Sequence, residues 1–366
     1  MSPRLPLVAT HSQEHASCAH CPKLCRHSCP VSTVEARETT TPWGKMTSLH
    51  HVAHGNLELE PTYAATWYAC TGCMRCRSFC AHGNEVGEAL AAGRAEAVLA
   101  GVAPSGAYSI IERHAARQSR AVAAAKAIFG PSRDPSARVV YVPGCTACVL
   151  RPADALAGRD LVDALSDGPV EVAAGSCCGL PLLDAGDRDG FLSSAKRFLA
   201  SLGAPDIVVL SDPGCLHALK RTAPSLGLEH DLELIHVSEL AARHLGRLER
   251  LEVEGPVRYH DACKLGRGLG VYDEPREALG RVLGRAPDEL HMNREVGECS
   301  GAGGQLPRVF PETSAAVTDE LLGSHTNASG GMLVTACPGA AARIASRPDA
   351  PEVVELGAFL SRAIHR

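Results

Sequence analysis

The chain reads as a multidomain α+β protein: a helical N-terminal domain dense in cysteine, followed by two tandem, duplicated α/β domains. Three observations predict this. The sixteen cysteines fall into two groups, eight before residue 81 and eight from Cys145 to Cys337. The interval between them carries apolar residues at helical spacing. Beyond residue 137, short β-branched runs alternate with helical stretches, the texture of a mainly parallel sheet covered by helices. The expected layout is a flexible N-terminus at 1–14, a helical domain at 15–129, a linker at 130–137, and α/β domains at 138–250 and 251–366.

Composition narrows the class further. With 366 residues, 45% hydrophobic, 21% charged and 4% aromatic, the chain has ample material for a buried core. A formal net charge of −5 argues against a nucleic-acid partner. The opening MSPRLPLVATHSQEH lacks the apolar core of a signal peptide, and no apolar stretch reaches the roughly 18 residues of a membrane span. Sixteen cysteines without a secretory context point to a reducing compartment, where metal ligation is commoner than disulfides.

In chain order, the first motif is CAHCPKLCRHSCP, with Cys18, Cys21, Cys25 and Cys29. The second is ACTGCMRCRSFCA, where Cys70, Cys73, Cys76 and Cys80 are spaced C-x2-C-x2-C-x3-C. That spacing wraps a cubane iron–sulfur cluster. In two-cluster ferredoxins the last cysteine of each run ligates the other cluster. The expectation is therefore two 4Fe–4S clusters, one on Cys18, Cys21, Cys25 and Cys80, the other on Cys70, Cys73, Cys76 and Cys29. The first run departs from the pattern, having C-x3-C in its middle, and zinc completed by His20 or His27 is its competitor. His50 and His51 read as ordinary loop histidines. Asn84 reads as the cap of a helix through EVGEALAAGRAEAVLAG, and SGAYSIIERHAARQSRAVAAAKAIFG as a second helix.

After the linker, ARVVYVPG, PDIVVLSD, GPVRYHD and GMLVTAC read as buried strands, and DGFLSSAKRFLASLG and SELAARHLGRLERL as helices. An internal repeat is visible. Tyr141 and Tyr259 each precede a cysteine by four residues, Cys145 and Cys263; Cys177 then matches Cys299, and Cys215 matches Cys337. Such cysteines lie beyond strand ends or in Gly-rich loops, where α/β sheets present ligands. GRGLG at 266–270 has the wrong spacing for a dinucleotide fingerprint and reads as a loop or helix cap. His260 and Asp261, just ahead of Cys263, suit either a supporting role at a metal or a structural hydrogen bond.

GSCCGLP at 175–181, bracketed by Cys145 and Cys215, resembles the cysteine-rich CCG domain, and YHDACKLGRGLGVYDEPREAL at 259–279 resembles the start of its second copy. Two such copies behind a helical two-cluster ferredoxin domain is the layout of the heterodisulfide-reductase-like iron–sulfur oxidoreductases. These include the iron–sulfur subunits of glycolate oxidase, anaerobic glycerol-3-phosphate dehydrogenase and lactate-utilisation complexes. The resemblance implies five cysteines per full CCG domain: one lone, the CC pair and a closing C-x2-C. The first copy keeps Cys145, Cys177, Cys178 and Cys215, with Ala218 three residues after Cys215 and Cys148 as a substitute fifth ligand. The second keeps Cys263, Cys299 and Cys337, with Ser300 and Ala340 at the positions of the missing thiols. A further cluster is expected in the first copy, the second being the lesser candidate.

The resemblance implies an iron–sulfur electron-transfer subunit. It would relay single electrons between a flavoprotein dehydrogenase, acting on a 2-hydroxy acid or related substrate, and a quinone or disulfide acceptor. No flavin or nicotinamide motif is present to handle a hydride within this chain. One alternative is a disulfide or quinone reductase whose first CCG domain binds substrate on its cluster; the other is a non-redox, zinc-binding interaction protein. No catalytic residue is assigned. The expected location is cytoplasmic, with any attachment to the inner face of a membrane made through a partner.

Overall fold

The computed structural model describes residues 4–130, 137–173 and 176–364. The chain divides into two compact units. One gathers Met1–His114, Pro181–Phe191 and Glu298–Leu321; the other gathers Ala115–Leu180, Leu192–Gly297 and Leu322–Arg366. This division does not follow the linear order of the expected domains, because a segment of each repeated copy is counted with the helical unit. Of the linker expected at 130–137, residues 131–136 lie outside the described residues.

The first unit is built from helices. Pro42 and Pro61 open the helices Pro42–Ala53 and Pro61–Tyr68, where a missing N–H costs nothing. Thr41 accepts a hydrogen bond from Gly44 N at 3.0 Å and caps the first of these. Met46, Leu49, Trp67, Tyr68 and Leu90 are fully buried between them and the helix Val86–Leu99. Gly93 is required there: a Cβ at that position would stand 2.8 Å from Leu49 Cδ1 and 3.1 Å from the Trp67 ring. The Tyr68 hydroxyl donates to Ala185 O at 2.8 Å, and Arg94 Nη1 to Asp184 O at 3.0 Å. Those two bonds tie the segment 181–191 to this unit.

Several local expectations are corrected here. Residues 6–11 form a 3-10 helix rather than a frayed end, with Leu5 and Val8 buried and Leu7 N donating to Glu96 Oε1 at 2.6 Å. Asn84 does not cap a helix; its amide donates to Ser17 Oγ at 2.8 Å and Cys18 Sγ at 3.1 Å. The long helix expected from Ser105 breaks at Arg113 into Ser105–Glu112 and His114–Phe129. His50 and His51 are helical, in the last turn of Pro42–Ala53.

The second unit holds two four-stranded parallel sheets of identical topology. The strands are β1 Val139–Val142, β2 Val170–Val172, β3 Ile207–Leu210, β4 Leu234–His236, β5 Val257–His260, β6 Asp288–Glu289, β7 Met332–Thr335 and β8 Val353–Glu355. Their orders are β2-β1-β3-β4 and β6-β5-β7-β8. All four strands read from the sequence are present as β1, β3, β5 and β7. The short edge strands escape a sequence reading because two or three residues carry too little pattern. One hydrophobic cluster, including Tyr141, Leu161, Val209, Tyr259, Leu279, Val334, Leu356 and Phe359, joins both sheets. Among the described residues no helix is long and apolar enough to cross a membrane.

The registers align the copies residue by residue. Val139 pairs with Ile207 and Val257 with Met332, so Cys145 corresponds to Cys263. The same registers make Asp212, not Cys215, the equivalent of Cys337, and Cys215 the equivalent of Ala340. The match of Cys215 with Cys337 is thereby corrected. The closing segments are Asp212-Pro213-Gly214-Cys215 and Cys337-Pro338-Gly339-Ala340. Each opens a helix with its first side chain as cap: Asp212 Oδ1 accepts from Gly214 N at 2.7 Å, and Cys337 Sγ from Ala340 N at 3.4 Å. The thiol missing from the first copy is therefore at Asp212 rather than at Ala218, and the repeated copies lack opposite members of the pair.

Glu355 is buried at the end of β8, where burial pushes its carboxyl up to about 8. Asp154 adds to the rise; the amides of Ala358 and Gly357 and the Arg151 guanidinium oppose it. The folded state then holds a proton that the unfolded chain releases near 4.5, so stability falls as pH rises through that window towards 8. Denaturant titrations at about pH 5 and about pH 8 should show this loss, and Glu355→Gln should abolish it.

Candidate functional site

The first foursome lies in the helical unit. Cys18 ends the buried face of the helix Ser12–Ala19, and a turn from Cys21 N to Cys18 O, 3.1 Å, brings the next thiol round. Burial pushes the Cys18 thiol up to about 11, with Cys80 and Cys21 adding to the rise and the Asn84 amide opposing it. Cys25 is likewise pushed up to about 11, by burial and then by Cys18, Cys80 and Cys21. Cys80, distant in sequence, thus acts on the thiols of the first run. His27 stacks edge-on to Phe79 at 4.7 Å.

Cys29, Cys70, Cys73 and Cys76 line one small cavity with Pro30, Pro42, Met74 and Val86. Burial drives the Cys76 thiol far up, and Cys73, Cys70 and Cys29 drive it further. Lys45, only 1% exposed, lines the same cavity with its ammonium 3.5 Å from Cys29 Sγ. Burial pulls the Lys45 pKa down, but Cys29, Cys70 and Cys76 outweigh it and leave the pKa raised.

Cys299 belongs to this unit too. Its thiol donates to Thr71 Oγ1 at 3.4 Å, beside Cys70. Gly303 and Gly304 make the approach feasible, because a Cβ on either would stand 2.3 Å from Thr71 O or 2.1 Å from Cys70 O.

In the second unit the loops after β1, β2 and β3 bring four thiols together. Cys178 Sγ donates to Cys215 Sγ at 3.1 Å. The Cys145 thiol is pushed well up by a hydrogen bond with Cys177, by burial, and by the charges of Cys177, Cys215 and Cys148. Gly179, at φ +86°, turns its N–H onto Cys177 Sγ at 3.4 Å, and Ser194 Oγ holds the Cys177 carbonyl at 2.9 Å. Cys145, Cys148, Cys178 and Cys215 line a cavity whose other walls include Ala121, Val142, Ala173 and Phe198. Cys148 also packs against Ala125, Ala147 and Ala155.

The second copy repeats the turn without the second thiol. Gly301, at φ +78°, directs its N–H to Cys299 Sγ at 3.4 Å, and Thr318 Oγ1 donates to the Ser300 carbonyl at 2.9 Å. Cys263 and Cys337 lie in the second unit, where burial pushes the Cys337 thiol well up, followed by the charges of Asp212 and Cys263. Asp261 accepts from Arg276 Nη1 and Nη2, each at 2.9 Å, and His260 Nδ1 lies 2.9 Å from Thr335 Oγ1. Both are thus engaged in structural bonds. GRGLG forms the short helix Gly266–Leu269, closed by Gly270 in the left-handed region, as a helix cap.

The donor sets fit iron–sulfur clusters. Thiols crowded behind apolar walls resist ionising together, and bound iron reverses that balance by drawing them into thiolates. Cys18, Cys21, Cys25 and Cys80 would hold one cluster, Cys29, Cys70, Cys73 and Cys76 the second, and Cys145, Cys177, Cys178 and Cys215 a third. Sequence reasoning missed Lys45 and Asp212. A lone lysine on a helix reads as solvated, whereas Asp-Pro before a cysteine is a legible capping signal. Replacing Cys29 by Ser should damage the cluster of Cys70, Cys73 and Cys76 and spare that of Cys18, Cys21 and Cys25, as read by EPR; damage confined to the latter would defeat the cross-pairing.

Comparison with known proteins finds the corresponding domains. Residues 14–84 match the 4Fe-4S dicluster domain, and residues 139–220 and 257–344 each match the cysteine-rich domain named CCG. The chain is 28% identical over 277 residues to one subunit of the fumarate reductase (CoM/CoB) of Methanothermobacter marburgensis, covering 74% of this chain and 55% of the relative. It is 27% identical over 289 residues to one subunit of the dihydromethanophenazine:CoB–CoM heterodisulfide reductase of Methanosarcina barkeri, covering 74% and 70%. With the EtfAB:quinone oxidoreductase of Syntrophomonas wolfei it shares 31% identity over 198 residues, covering 49% and 26%. The chain thus spans about half the length of the first of these relatives. A dicluster domain followed by two cysteine-rich domains, with thiols gathered as such clusters require, makes this chain a member of the CCG-domain iron–sulfur oxidoreductase family.

Proposed function

We propose that this chain is the iron–sulfur electron-transfer subunit of a larger oxidoreductase, relaying single electrons between a flavoprotein dehydrogenase partner and a quinone or disulfide acceptor. The observation that carries the reading is the gathering of twelve cysteines into three four-thiol sets, each behind buried or apolar surroundings. When bound, clusters at these sets supply one-electron redox chemistry, with potentials tuned by hydrogen bonds and burial. The protein's own contribution is to supply the thiolates, exclude water, and place N–H groups and the Lys45 ammonium against sulfur. The relatives' names support both acceptor chemistries, one belonging to a heterodisulfide reductase and another to a quinone oxidoreductase. Attachment at the inner face of a membrane, through a partner, belongs with the quinone acceptor.

One observation favours a second reading, reduction of a disulfide at the first CCG domain itself. Cys148 lines the same cavity as Cys145, Cys178 and Cys215, so a fifth thiol is at hand although Asp212 stands in the closing pair. Iron, acid-labile sulfide and zinc should be counted on anaerobically purified protein, with EPR spectra before and after dithionite. Clearly more than about eight irons per chain is expected, with a signal that Cys177→Ser removes. About eight would leave the CCG domains as scaffold; zinc with negligible iron would overturn the electron-transfer reading. If Cys148→Ser abolishes thiol–disulfide turnover while the signal persists, the second reading stands; no turnover by the unaltered protein would exclude it.

A further inference from the structure

Away from the thiols, the helical unit holds a group of imidazoles that electron transfer does not use. The helix Ser12–Ala19 packs on Pro42–Ala53, and the contact brings His15 against His50 and His54. One ring nitrogen of each lies within 4.8 Å of those of the other two. His15 Nδ1 and His50 Nδ1 stand 3.0 Å apart, and the His50 and His54 rings are 4.1 Å apart. His50 and His54 are four residues apart, the spacing that puts two imidazoles on one helical face and serves zinc in helical motifs.

Three features suit this group to a cation rather than to ordinary packing. His15 is 2% exposed, His50 half-buried and His54 exposed, so the group is anchored at one end and open to water at the other. His54 Nδ1 lies 2.8 Å from the His50 carbonyl, a bond that sets its tautomer and frees Nε2, as supporting bonds do for metal-binding histidines. Burial first, and then the neighbouring rings of His50 and His54, bring His15 down to about 4, with Glu14 opposing; burial and then His54, His51 and His20 lower His50. Imidazole nitrogens brought this close, sharing a proton that can move to the far nitrogen of its ring, are what a borderline-soft divalent ion takes. Two nitrogens bound to one tetrahedral zinc ion at about 2.0–2.1 Å stand about 3.3 Å apart, close to the His15–His50 separation.

We propose that His15, His50 and His54 form a binding site for one divalent transition-metal ion of the zinc class, separate from the clusters, with its fourth position open to water. The ion ties the N-terminal helix to the end of Pro42–Ala53 through three imidazoles. No change of oxidation state is involved. The ligands bind as neutral rings, His15 and His50 carrying their protons on Nε2.

The test uses the full chain with its clusters loaded, freed of loose metal by chelator and titrated with zinc ion alone by calorimetry. One zinc per chain is expected, with zinc-edge X-ray absorption showing nitrogen neighbours at about 2.0–2.1 Å rather than sulfur at about 2.3 Å. In His54→Gln and His50→Gln the affinity should fall by more than about 100-fold, beyond the cost of losing a supporting hydrogen bond, while iron and sulfide counts hold. A sulfur shell, absence of binding, or unchanged affinity in the variants overturns the proposal. So does loss of iron along with zinc, which would make these histidines props of the neighbouring cluster loop. The absorption spectrum of the unaltered protein decides the ligand type even if a variant fails to fold. Because zinc is measured with iron already in place, failure here leaves the electron-transfer reading untouched.

Discussion

Thiols brought together in an apolar pocket are the constraint on which the rest of the structure depends. Each thiolate added beside another pays both for burial and for like charge, and an unpaired buried ion costs several kcal/mol. A strongly positive centre offsets that. The surrounding features follow from it. Asn84 donates to Cys18 instead of capping a helix, and Gly179 aims its N–H at Cys177 instead of at a backbone carbonyl. Lys45 is the extreme case, an ammonium held 1% exposed because Cys29, Cys70 and Cys76 outweigh its desolvation.

Duplication supplied the scaffold, and divergence altered what each copy offers. The two sheets share order and register, and both keep the Cys-x-Gly turn with the glycine N–H on sulfur at 3.4 Å. The closing segments differ as alternatives at one pair of positions: Asp212 with Cys215 in one copy, Cys337 with Ala340 in the other. The Gly-rich loop of the second copy sets Gly303 and Gly304 against the backbone of Thr71 and Cys70, within the helical unit, where Cys299 donates to Thr71 Oγ1.

Much of the architecture was legible in the sequence because it rests on local signals. Four apolar runs became β1, β3, β5 and β7, and the helices Val86–Leu99 and Arg188–Leu202 follow their apolar spacing. The break at Arg113 and the packed segment around Val8 were not legible, since each depends on what a helix meets rather than on its own composition.

The sequence by itself determined the chemistry: cysteine spacing announces clusters because consecutive thiols must wrap one corner of a cube, and the repeat announces two copies. The tertiary structure alone decided which distant groups share a pocket. Cys80 acts on Cys18 and Cys25, Lys45 reaches Cys29, and His15 meets His50 and His54. The physical reason is that charge and lone-pair interactions act over a few ångströms of space, while chain order constrains only near neighbours. Residues far apart in the chain meet where helix packing and strand register put them.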